Sequence, residues 1–152
     1  MKIDKNSISL FGFRGKILEV DLTNKLIKET PLDLKSIKDF IGGAGYACRF
    51  LIENIDQNTN PLSPENILII MTGPYCLSGI PGSGRFVICS KSPYTNLLGE
   101  SNCGGSFGPE MKKAGYDGIF IKGKAESPVY LNITNHDNEI LDANSLWGLD
   151  IK

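Results

Sequence analysis

The sequence predicts an α+β fold, mainly antiparallel β. Three observations carry that prediction: several short apolar or alternating runs of strand length, polar turn residues between them, and helical spacing confined to two stretches. No βαβ spacing recurs and no internal repeat is present, which argues against a doubly wound sheet. From Phe13 to Leu22, apolar Ile17 stands among charged Lys16, Glu19 and Asp21; Thr23-Asn24 then makes a turn and Leu26 to Glu29 returns, which reads as a β-hairpin. Leu34, Ile37, Phe40, Ile41, Ala44, Cys48, Leu51, Ile52 and Ile55 recur at three- and four-residue steps. Gly42-Gly43 and Gly45 interrupt them, so two helices meeting at a glycine corner are expected.

Pro61 to Asn66 (PLSPEN) is loop chemistry, and the apolar run Ile67 to Met71 behind it has the length of a buried strand. A second strand, Arg85 to Ser90, leaves a glycine-rich loop directly. Phe107 to Ala114 forms a short helix with Pro109 in its first turn, Glu110 near its positive end and Lys112-Lys113 near its negative end; Gly115 is its natural stop. Strands follow at Gly118 to Lys122, Val129 to Ile133 and Glu139 to Leu141, the last two joined by the polar turn Asn135-His136-Asp137-Asn138.

A chain of 152 residues is the size of one domain and can bury a core without disulfides or a structural metal. Sixteen basic and 17 acidic residues, well mixed, give a net charge of −1 and no footprint for nucleic acid or an anionic membrane. No apolar run approaches the roughly 20 residues that span a bilayer. The segment Met1 to Phe11 lacks the apolar core of a secretory leader, so a cytoplasmic protein is expected. Cys48, Cys76, Cys89 and Cys103 contain no Cys-x-x-Cys pair, which gives a zinc or iron–sulfur site made by this chain alone little support and favours buried free thiols. The sequon at Asn132 reads as accidental.

Catalytic motifs are scarce. Histidine occurs once, at His136 in a turn, which disfavours histidine-rich metal sites and a Ser-His-Asp triad; neither a P-loop nor a Gly-x-Gly-x-x-Gly pattern is present. No catalytic residue is assigned. The informative stretch is Gly79 to Gly108, where seven of the chain's 17 glycines surround Arg85 and an Asn102-Cys103-Gly104-Gly105 turn. Bare glycine backbone can aim N–H and C=O groups at an anion or a metal, and a guanidinium suits phosphate or a planar heterocycle. The helix start just beyond would add its own amides. Asn102 can offer its side-chain amide, or its backbone carbonyl as a hard ligand for Mg²⁺. Alternatively, these glycines only serve tight turns between strands.

The sequence resembles the N-terminal domain of the aldehyde ferredoxin oxidoreductases, tungsten enzymes with a bis-pterin cofactor and a 4Fe-4S cluster. The resemblance runs in order through Gly12-Phe13-Arg14-Gly15-Lys16-Ile17-Leu18, Ile41-Gly42-Gly43-Ala44-Gly45, Asp56 to Asn66 with its PLSPEN, and Thr72-Gly73-Pro74. It continues with Gly84-Arg85-Phe86, Lys91-Ser92-Pro93, Ser101 to Gly105, Phe107-Gly108-Pro109-Glu110, Ala114 to Gly118, Gly123-Lys124-Ala125 and Leu146-Trp147-Gly148. It implies a pseudo-symmetric base of two β-sheets with a few short helices and the pterins between the sheets. It implies that Arg85 bridges a pterin and the cluster, that Asn102, Cys103, Gly104 and Gly105 contact pterin, and that the Asn102 carbonyl ligates the Mg²⁺ joining the pterin phosphates.

Ala44 stands where many members have arginine, and Cys103 where serine is common. By the same resemblance, residues 1–152 are an incomplete pterin-base domain, and the cluster and substrate domains are absent. The implied partners are ferredoxin and the remaining domains or a partner subunit. The implied activity is aldehyde oxidation to carboxylic acid with electrons passed to ferredoxin, and this chain alone is expected to be inactive. The other expectation is a non-catalytic, separately encoded subunit that docks on a partner carrying the catalytic domains and self-associates without it.

Overall fold

Strand β1 (Lys16–Asp21) buries Ile17 on one face and Leu18 and Val20 on the other, so the sheet it belongs to must be covered on both sides. A computed structural model describes residues 12–150 of the chain; the leader-type reading of Met1 to Phe11 falls outside the described residues. Asp21 closes the first hairpin by accepting the Asn24 N–H and side-chain amide, each at 3.0 Å, and β2 (Leu26–Pro31) runs back antiparallel. Asp33 caps α1 (Leu34–Phe40), accepting the N–H groups of Lys35 and Ser36. The glycine corner is present as expected: Ile41 and Gly42 leave helical geometry, and α2 (Gly43–Asn54) begins.

The remaining elements are β3 (Leu68–Thr72), β4 (Phe86–Lys91), β5 (Leu98–Cys103), α3 (Phe107–Lys113), β6 (Gly118–Lys122), β7 (Val129–Ile133) and β8 (Asn138–Asp142). The fold is α+β, and the described residues form two sheets, a six-stranded one in the order β2-β1-β6-β3-β4-β5 and the ribbon β7-β8. Every described pairing is antiparallel except β1 with β6. One segment departs from the sequence reading. Asn102 and Cys103 are the last residues of β5, at the sheet edge, and not part of a free turn; they pair with Val87 and Phe86 of β4.

Helices α1 and α2 cover one face, where Ile17, Ile69, Met71 and Phe120 pack against Tyr46, Ala47 and Leu51. Phe50 meets Phe120 edge-on with centroids 4.6 Å apart. On the other face Leu18, Val20 and Ile119 pack under Met111 of α3, Tyr116, and Leu131, Ile133 and Ile140 of the ribbon. Each fully buried aliphatic or aromatic side chain contributes about 1.5–3 kcal/mol, so the two-sided sheet is the main stabilising element. Cys76 and Cys89 are buried and Cys48 and Cys103 half-buried, all four as free thiols.

Candidate functional site: a cleft at the end of the β4–β5 hairpin

The β4–β5 register decides where the site residues fall. Phe86 faces Cys103 and Val87 faces Asn102, so one further step puts Arg85 opposite Gly104. From there the Arg85 guanidinium turns onto its neighbour strand: Nε donates to the Asn102 side-chain oxygen at 2.6 Å, and Nη2 approaches the Asn102 backbone carbonyl at 3.4 Å. The backbone is tight just ahead of it: a Cβ at Gly84 would lie 3.0 Å from the Gly105 carbonyl, so a side chain there would push the two loops apart by a few tenths of an ångström.

Arg85 and Asn102 both line a cavity of about 610 Å³, a size suited to a small-molecule ligand. The segment Gly73 to Cys76 lines the same cavity, as do Ile80 and Pro81. Among the described residues, Arg85 is the only charged one in the lining. With no carboxylate in the wall to compete, its remaining N–H groups face a cleft that favours a negatively charged ligand. The apolar remainder, including Met71, Pro74, Tyr75 and Phe86, suits the faces of a planar ring.

Cys103, Gly104 and Gly105 do not line this cavity. Successive strand residues face opposite ways, and of the last pair of β5 only Asn102 is in the wall. Gly104 stays close to the site, since a Cβ there would lie 3.7 Å from Arg85 Nη1. Helix α3 starts two residues beyond Gly105 and has only seven residues, so the full positive charge of Arg85 outweighs its terminal partial charge. Cys76 is in the wall, but burial raises its thiol above the usual range, which leaves it neutral rather than a thiolate ligand. Cys89, pushed up to about 11 by burial, is more inert still. Among the described residues no group of three histidine, cysteine or carboxylate side chains could hold a metal ion. His136 lies in the turn before β8, away from this cleft.

The residues fit a phosphorylated heterocycle: a guanidinium for phosphate, a free carbonyl lone pair on Asn102 for a hard cation, and apolar walls for a ring. Sequence reasoning missed the support behind the Gly73–Cys76 wall. Lys112, read as a helix-end charge, is 1% exposed, and its ammonium donates to the carbonyls of Gly12 and, at 2.8 Å, Gly73. It stands 3.5 Å from the buried carboxylate of Asp117, whose other oxygen accepts the N–H groups of Arg14 and Gly15 at 2.8 Å. Burial drives Lys112 down and Asp117 up, each toward its neutral form; their mutual attraction and the two amides on Asp117 oppose that. The motifs around Gly12, Gly73 and Asp117 were visible in the sequence, but nothing in it joined them to one lysine.

A family profile described as "Aldehyde ferredoxin oxidoreductase, N-terminal domain" matches residues 17–152. The chain is 44% identical over 139 residues to a tungsten-containing aldehyde ferredoxin oxidoreductase of Pyrococcus abyssi, covering 91% of this chain and 23% of that protein. It is 42% identical over 143 residues to an "Aliphatic sulfonate oxidoreductase, WOR-like subunit" of Pyrococcus furiosus, covering 92% of this chain and 23% of that one. Among solved structures, the active site complex BamBC of benzoyl coenzyme A reductase, with 1,5-dienoyl-CoA bound, superposes with a TM-score of 0.89 at 38% identity, over 91% of this chain and 21% of that one. The chain therefore spans about a quarter of the length of the relatives it matches.

Proposed function

The chain belongs to the aldehyde ferredoxin oxidoreductase N-terminal domain family, and from that premise we propose that it is the cofactor-holding part of a tungsten oxidoreductase that converts aldehydes to carboxylic acids and passes the electrons to ferredoxin. The observation that supports this reading most is the pairing of Arg85 with Asn102 in a cleft whose only charge among the described residues is that guanidinium. When bound, a tungsten bis-pterin supplies oxo transfer and takes up the electron pair. The chain's own contribution is to bind and orient. Arg85 would grip phosphate or a pterin edge, the Asn102 carbonyl would ligate Mg²⁺, and Tyr75, Pro74 and Ile80 would keep water from the ring faces. Cys103, Gly104 and Gly105 supply backbone beside that grip rather than the wall itself. A 4Fe-4S cluster and a substrate cavity would be supplied by other parts of such an enzyme, and Arg85 would be this chain's contact toward the cluster.

Names of similar proteins favour a second substrate class almost equally. The sulfonate oxidoreductase subunit and the benzoyl-CoA reductase structure match at 42% and 38% identity. The cofactor grip is then common to the family, and the reacting carbon or sulfur centre is chosen elsewhere in the enzyme. A docked, non-catalytic subunit uses the same cleft, with Tyr75 and Ile80 at its rim, 69% and 54% exposed, packing on a partner.

The test is the tungsten and pterin content of the enzyme assembled with Arg85→Ala or Arg85→Lys. Losing charge-assisted hydrogen bonds costs about 1.5–3 kcal/mol, so Arg85→Ala should weaken cofactor retention by roughly ten- to a hundredfold. Arg85→Lys should recover only part of it, because an ammonium lacks the planar fork. Full cofactor content in Arg85→Ala would remove the proposal's main support. A substrate screen of the same assembled enzyme with aldehydes, sulfonates and aryl-CoA thioesters separates the substrate classes.

A further inference from the structure

We infer that Lys112 is a positioning residue for the cleft: from the far end of α3 its buried ammonium fixes the Gly73–Cys76 turn, which lines the same cavity as Arg85 and Asn102. The Gly73 carbonyl accepts from Lys112 Nζ at 2.8 Å and also from the Cys76 N–H at 3.2 Å, so the lysine holds the first residue of the turn that places Pro74, Tyr75 and Cys76 in the wall. The second acceptor, the Gly12 carbonyl, belongs to a residue pressed against that same turn. A Cβ on Gly12, at φ 81°, would lie 2.3 Å from the Pro74 carbonyl oxygen. Arg14 closes the ring by donating from Nε to the Lys112 carbonyl at 2.9 Å.

The other end of the same helix touches both the loop before Arg85 and the last residue of that turn. A Cβ on Gly108 would be 3.2 Å from the Gly84 carbonyl and 3.4 Å from Cys76 Sγ. Helix α3 thus abuts the loop before Arg85 at its start and pins the Gly73–Cys76 turn near its end. A hydrophobic side chain at 112 could fill the same volume, but it could not orient two backbone carbonyls. Burying a charge is costly unless it is paired and hydrogen-bonded, and here the cost secures the aim of that turn. The consequence for ligand binding rests on the reading of this cavity as the cofactor site; the positioning itself does not.

Three measurements on the 152-residue chain test it. In the unaltered protein, the Lys112 ammonium protons should exchange slowly and show hydrogen-bond scalar coupling to the carbonyl carbons of Gly12 and Gly73. A rapidly exchanging, solvent-like ammonium would overturn the inference without any variant.

Next, Lys112→Met combined with Asp117→Asn removes both buried charges together. If Lys112 serves only to balance Asp117, this pair should leave backbone exchange from Tyr75 to Ser78 unchanged, and that result would also overturn the inference. If it positions the turn, those amides should exchange on the order of tenfold faster while β1, β3 and β6 keep their protection. Should the double variant not fold, the ammonium measurement decides alone.

Finally, magnesium pyrophosphate serves as the probe of the cleft. The double variant should bind it about tenfold more weakly than the unaltered chain, although neither altered side chain lines the cavity. Equal affinity for the two would overturn the link to binding. If the unaltered chain shows no pyrophosphate binding while the exchange result holds, the cofactor reading fails and the positioning role stands.

Discussion

Arg85 and Asn102 are 17 positions apart and meet because β4 and β5 are ladder partners. The side-chain types were legible: a lone arginine beside a glycine-rich loop, and an asparagine before paired glycines. Which of the neighbours face the cavity was not. Strand alternation puts Asn102 in the wall and leaves Cys103 out of it, and alternation is invisible until the segment is known to be a strand. Cys76 joins the wall with nothing in the sequence to mark it, because a cysteine inside a Pro-Tyr-Cys-Leu turn looks like any small core residue. A prediction at this scale concerns Gly12, whose left-handed backbone and contact with the Pro74 carbonyl leave no room for a methyl group. Gly12→Ala should cost about 2 kcal/mol or more in urea-unfolding free energy. A change below about 0.5 kcal/mol, the range of ordinary surface substitutions, would show that the Gly12–Pro74 contact is loose.

Among the elements, the hairpin β1–β2, the two helices at the glycine corner, α3 and the last three strands could all be read from apolar period and turn chemistry. Strand β5 could not. Leu98–Cys103 carries a glycine, a glutamate, a serine and an asparagine between its ends and lies mostly exposed at the sheet edge, so no hydrophobic period announces it; pairing with β4 makes it a strand. The burial of Lys112 was hidden for a related reason, since its acceptors are 39 and 100 positions away.

A second prediction belongs to the joint between sheet and ribbon. Glu29 of β2 accepts from Lys16 Nζ and from the Tyr116 hydroxyl, and that hydroxyl accepts from Asn138 of β8 at 2.7 Å. The Lys16 bond first, then the Tyr116 bond, hold the Glu29 carboxyl below its ordinary value near 4.5. The folded value being the lower one, the stabilisation is present above pH 4.5 and is lost as pH falls through the folded value. Urea midpoints measured downward from pH 7 should therefore fall more steeply in the unaltered chain than in Glu29→Gln. Parallel curves would mean that this joint carries no pH-dependent stability.

At the scale of the molecule, the mainly antiparallel α+β class was legible from the residues and the two-sheet arrangement from the family resemblance. The single parallel pair was not, because β1 and β6 are brought together only by the whole sheet order. Its result is a sheet covered on both faces, with the β4–β5 edge and the cleft left at one side. Among the described residues no helix is long and apolar enough to cross a membrane. Exposed Tyr75 and Ile80 at the rim, and Trp147 and Leu149 after the ribbon, predict concentration-dependent self-association of the chain by itself. Sedimentation velocity should show the sedimentation coefficient rising with loading; a concentration-independent monomer would argue that these side chains need no partner.

The most direct measurement is anomalous diffraction at the tungsten edge from the assembled, cofactor-loaded enzyme. The tungsten peak should face the cavity between the Gly73–Cys76 wall and Arg85, with cofactor density reaching the Arg85 guanidinium and the Asn102 carbonyl. A peak on another face of the domain, with this cavity empty, would contradict the account.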